Sequence, residues 1–235
     1  MSIYVYKIVS SLEPQFEYVK DRLTPKKLKC ISLELTEGKI LYSPELSDSV
    51  EKVIRSKSTR ALLNKALENG PLIILKGSAE HVPQGGSWSV QERTIRISEV
   101  ENSKRQLGHL VFELSNALQH APQSTLSEDV MNRQVGKEEY VKRWKKIEFD
   151  AVQDFISAIQ PCIKERLCFK ESDLYIPEFF PKELTWEKHW EDIKNSDHAN
   201  QFRSDWDQQI KPSYCSKNPK SKDCNMKNKK QSKGI

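Results

Sequence analysis

The chain has 235 residues, 37% of them hydrophobic and 30% charged, which fits one globular domain, or one domain with a tail. Lys and Arg number 38 against 33 Asp and Glu, a formal charge of +5, but residues 211–235 hold eight Lys and one Asp. That segment therefore carries 8 − 1 = +7 and the remainder 5 − 7 = −2, so any anionic partner is expected at the Lys-rich end and only as a weak surface contact.

In chain order, Ile3–Val9 is β-branched and aromatic and reads as a strand. Residues 28–42 read as a hairpin: Ile31, Leu33 and Leu35 alternate with polar positions, Thr36-Glu37-Gly38 turns, and Ile40, Leu41 and Tyr42 resume. Ser43-Pro44 opens a helix whose apolar positions run from Leu46 to Leu67, and Asn69-Gly70-Pro71 ends it. Leu72-Ile73-Ile74-Leu75 predicts a buried strand and is the longest aliphatic run, far short of the ~20 apolar residues of a membrane span.

A loop with Gly85-Gly86 precedes Trp88-Ser89-Val90 and the alternating Thr94-Ile95-Arg96-Ile97-Ser98. Asn102 or Ser103 can cap a helix running to about Gln119, with Pro122 just beyond its end. A third helix is predicted over about 137–167, interrupted near Pro161. Residues 169–210 combine prolines, aromatics and charges and read as an irregular wrapping segment with one short helix near 183–194. Residues 211–235 read as a disordered tail. The predicted organisation is thus 1–168 as an α+β domain with a small mixed or antiparallel sheet and two to three packed helices, 169–210 as the wrap, and 211–235 as the tail.

Residues 86–120 carry the chemistry-bearing pattern: a glycine loop, a T-I-x-I strand and a helix with Phe112-Glu113-Leu114-Ser115-Asn116-Ala117. This block resembles the core of zincin-like metallopeptidases, where an edge strand T-I-x-I precedes a helix bearing H-E-x-x-H-A. In that family the two His bind zinc from one helix face and the Glu activates the metal-bound water. Phe112 and Asn116 stand where the two His belong, and only Glu113 and its apolar flank fit. The resemblance implies a zincin-like scaffold with a degenerate site. Zinc is not carried over and no other cofactor is expected.

On that helix His109, Glu113, Asn116 and His120 fall within about 60° of arc. A polar stripe on an otherwise apolar helix is either its solvent face or the lining of a cleft. The candidate catalytic residues are Glu113, Asn116 and Glu148, the last lying 35 residues after Glu113, where one zincin branch places a third ligand on a later helix. Glu148 is equally readable as a surface acid paired with a nearby Lys. His109, His120 and Trp88 are the candidate binding residues.

The resemblance implies a secreted bacterial effector or toxin acting on a protein or peptide, by amide hydrolysis in an active member. The alternative is a non-enzymatic protein-interaction module on a dead protease-like scaffold. Nucleic-acid binding rests on the basic tail alone. Neither G-x-x-x-x-G-K-[ST] nor G-x-G-x-x-G occurs, so no nucleotide is expected. The opening residues lack a basic n-region and a long apolar stretch, so the expected location is cytoplasmic, or secreted by a non-classical route. Five Cys, an odd number, read as reduced thiols, with a Cys215–Cys224 loop as the alternative in an oxidising compartment.

Overall fold

A computed structural model describes residues 6–9, 30–78, 80, 82, 85–164 and 185–224. The architecture is α+β. Six strands form one mixed sheet: β1 (Tyr6–Val9), β2 (Cys30–Leu35), β3 (Gly38–Tyr42), β4 (Leu72–Gly77), β5 (Gly86–Ser89) and β6 (Thr94–Ser98), in the order β1-β2-β3-β4-β6-β5. The pairs β1–β2, β2–β3 and β5–β6 are antiparallel, whereas β3–β4 and β4–β6 are parallel. The first predicted strand is described only from Tyr6.

The alternation read from the sequence sets the sheet's buried rows. Leu33 pairs with Ile40 and Ile40 with Leu72; Tyr42 pairs with Ile74, Ile74 with Ile95, and Ile95 with Trp88. All but the half-buried Trp88 are essentially inaccessible to solvent. The parallel β3–β4 step needs a crossover, supplied by α1 (Ser47–Arg55) and α2 (Lys57–Leu67). These were legible as one apolar-periodic helix, but Ser56 is extended (φ −79°, ψ 130°) and splits it, its Oγ lying 2.8 Å from Cys162 Sγ. Gly70 ends the turn after α2 at φ +113°, a conformation that side-chain-bearing residues resist.

By chain contacts the described residues fall into two compact units, one within Met1–His120 and Ala151–Phe180, the other within Ala121–Asp150 and Pro181–Ile235. The first unit holds the sheet, α1, α2 and α3 (Ser103–Leu118) around one aliphatic core. The second holds α4 (His120–Met131), α6 (Trp186–Ile193), α7 (Asp197–Asp205), a π-turn Trp206–Ile210 and α8 (Lys211–Lys217). The long helix α5 (Lys137–Lys164) gives its first half to the second unit and its second half to the first.

Several sequence expectations are corrected here. Pro161 lies inside α5 and does not end it, since the helix runs through it to Lys164, the last described residue of this stretch. Pro122 lies in the first turn of α4, where no intrahelical N–H is required, so it starts a helix instead of closing off the previous one. The segment 185–210 is helical, not irregular, and its rings pair with those of α5 in the same unit. Trp144 stacks on Phe202 at 5.8 Å, and Phe149 meets Trp186 at 5.7 Å. Residues 211–224 are ordered rather than a disordered tail, and Cys215 and Cys224 form a disulfide in place of the reduced thiols. Their Cα atoms lie 5.5 Å apart, within bridging range. Cys30 and Cys162 are free and buried. Cys168, the predicted helix beyond Lys164, the start of the wrap at 169–184 and the tail beyond Cys224 lie outside the described residues.

Candidate functional site

Helix α3 is apolar on most of its circumference. Leu107, Leu110, Val111, Leu114 and Ala117 are buried in the main core. The polar stripe is not its solvent face: His109 is 7% and Glu113 5% exposed, while Asn116 and His120 are half-buried. What covers it is the start of β5. A methyl group on Gly86 would lie 2.9 Å from Glu113 Oε1 and 3.3 Å from His109 Cβ, and one on Gly85 only 2.2 Å from His109 Nε2. Gly85 also sits at φ +85°, and its carbonyl accepts from Ser98 N at 2.9 Å. Two glycines are therefore what lets the strand lie directly on the stripe.

The electrostatics follow from that cover. Asn116 Nδ2 donates to Glu113 Oε2 at 2.8 Å, which favours the carboxylate, but burial outweighs it and pushes the carboxyl up to about 7. His109 has its basicity lowered, first by burial. Glu101, whose Oε1 lies 4.0 Å from His109 Nε2, pulls the other way, and Arg105 opposes Glu101. His120 is also depressed by burial and then by Arg93. Its ring meets Trp88 edge-on at 6.3 Å, and its buried Nδ1 has no hydrogen-bond partner among the described residues.

Glu113, Asn116, His109, His120 and Trp88 thus lie on α3, at its end, and on the strand next to it. Glu148 belongs to the other unit, where Lys145 Nζ donates to its Oε2 at 2.5 Å and His198 Nε2 lies 3.5 Å from its Oε1. Glu148 is half-buried and its partner Lys145 is buried, so the acid is held by a neighbouring lysine but the pair is not on the open surface.

Three residues escaped sequence reading. Gly85 and Glu101 shape the surroundings of His109. Arg93, at φ +48° in the β5–β6 turn, donates to the carbonyls of Ala66, Gly70 and Pro71 and lies over Trp88 at 5.8 Å. The double glycine before an alternating strand was the visible signal for the first. Arg93 left none, since nothing local marks an arginine that caps a distant helix end.

The strand bearing T-I-x-I, β6, is interior, lying between β4 and β5, and the edge on that side of the sheet is β5. The donor set does not fit zinc. Phe112 packs edge-on against Phe155 at 5.5 Å, the Asn116 amide is engaged by Glu113, and no group of three His, Cys, Asp or Glu is placed to hold a metal among the described residues. Among the described residues no helix is long and apolar enough to cross a membrane. No protein-family model, curated protein or solved structure matches the chain.

Proposed function

We propose that this chain is a degenerate zincin-like domain of the secreted effector or toxin type that binds a protein or peptide without cleaving it. The observation carrying this reading is the use made of the two positions around Glu113: Phe112 is a packing residue and Asn116 a hydrogen-bond donor to the carboxyl. Hydrolysis by a lone buried carboxyl would have neither an activated nucleophile nor a group placed to stabilise an oxyanion. Binding needs less. β5 lies at the end of the sheet order, and an extended peptide can add to such an edge through main-chain hydrogen bonds. The Cys215–Cys224 disulfide supports the secreted alternative, because disulfides persist in oxidising compartments.

A second reading has one specific support. A carboxyl pushed up to about 7 is poised as a general acid or base for amide hydrolysis. Incubation with a random-sequence peptide library separates the two, with cleavage read by mass spectrometry and binding by amide exchange. Non-enzymatic binding gives no cleavage, slowed exchange at Gly86–Ser89, and the same affinity in Glu113→Gln. Cleavage that Glu113→Gln abolishes while the variant stays folded overturns it in favour of hydrolysis.

A further inference from the structure

The disulfide-closed loop of the second unit meets the turn after α4. Lys217 Nζ donates to Asn132 O and Asn218 Nδ2 to Arg133 O, both at 2.9 Å, while Arg133 Nη1 donates to Ser216 Oγ at 3.0 Å. Asp223, the loop's only acid, is turned inward and accepts from Lys137 N at 3.1 Å, close against Gly136. Asp207 is held by Lys137 and Lys211, Asp129 by Arg143, and Glu138 by Arg203. Arg133, Lys217, Lys220 and Lys222 are exposed on this side; the exposed acids near them are Glu128, one turn back on α4, and Glu138 and Glu139 at the start of α5, with Lys222 close enough to act on Glu138, so the basic residues outnumber the acids by one. Met131 is 72% exposed, one of two large hydrophobics so placed among the described residues, and immediately precedes the turn that the loop grips.

We infer that the Cys215–Cys224 loop and the Met131–Arg133 turn together form a docking surface for an anionic lipid membrane. Two features select lipid over nucleic acid. The basic residues of 211–235 are all Lys, and Lys lacks the planar fork that suits Arg to nucleic-acid recognition. The segment's aromatic ring, Tyr214, packs on Trp206 at 5.4 Å and is not offered for base stacking. An apolar side chain beside a basic cluster fits an interface where charges hold the headgroups and a thioether enters the acyl boundary. The surface is built by the closed loop, whereas lysines in a free chain would have no fixed relation to Met131.

The test is co-sedimentation of the full chain with vesicles of phosphatidylcholine alone or with 30% phosphatidylserine. Binding is expected to the anionic vesicles only and to weaken with salt. Lys220→Gln with Lys222→Gln should lower it roughly thirtyfold. Met131→Asp, at a 72% exposed site that removes no core packing, should lower it about tenfold. Equal binding to neutral vesicles, no binding to either, or full binding by Met131→Asp overturns the proposal. So does tighter retention of a single-stranded oligonucleotide that Met131→Asp leaves unchanged.

Discussion

In the first unit Leu33, Ile40, Leu72, Ile74, Ile95 and Ile97 of the sheet close on Leu107, Leu110, Val111 and Leu114 of α3, and none of these side chains carries a polar atom. The second unit's aliphatic cluster is Leu126, Val135 and Ile147, and the rest of its cohesion comes from other sources. Trp144 and Tyr140 meet Phe202, Phe149 meets Trp186 and His189, Arg203 grips Glu138 through two nitrogens, and a disulfide closes the end. The contrast follows from size. A small unit cannot bury enough aliphatic surface to offset chain entropy, so rings, ion pairs and a covalent staple take a larger share.

The sharpest way to test that contrast is to cut the aliphatic core. Leu114→Ala, at a site with no solvent exposure, should cost about 3–4 kcal/mol in urea unfolding. A loss below 1 kcal/mol would mean that the first unit does not depend on this packing. The first unit's polar stripe gives the next effect. Glu113 has an ordinary carboxyl value of 4.5 in the unfolded chain and about 7 in the fold. Its folded form holds a proton that the unfolded form releases, so its stabilising effect is full below about pH 4.5 and lost as pH rises through 7. Glu113→Gln, which mimics the protonated form, should therefore match the native chain near pH 4.5 and exceed it by roughly 3 kcal/mol at pH 8. Parallel stability curves would show that burial does not tune this carboxyl.

The smallest effect belongs to the staple. Replacing Cys215 and Cys224 with Ala opens a loop of sequence separation 9 and should cost about 2–3 kcal/mol, read as a lower urea midpoint and faster amide exchange at Lys137. Unchanged exchange there would show that the rings and ion pairs suffice.

The same contrast explains what could be read in advance. Strands β2, β3, β4 and β6 announce themselves because one buried face imposes a period of two, and Leu33, Ile40, Ile74 and Ile95 keep it. Helix α4 does not, because Leu126 is its one fully buried apolar residue, and Pro122 looked like a terminator. The pairing of Tyr140 and Trp144 with Phe202 spans about sixty residues and leaves no periodic trace. At the candidate site, helical geometry put Glu113, His109, Asn116 and His120 on one stripe. Whether that stripe met water or protein depended on Gly85 and Gly86, which arrive from another strand. Cys215–Cys224 was visible only as a possibility, since pairing depends on where α8 and its following turn lead the chain.

Asp223 caps the first residue of α5, 86 residues upstream. The two units are also interleaved, each being assembled from two separate stretches of chain. During synthesis the stretches that make up the sheet-bearing unit are complete once Phe180 is made, whereas the start of α5 must wait for the loop ending at Cys224. The helix that both units share is therefore completed at one end well before the other. Over that interval its leading turn stands without its cap.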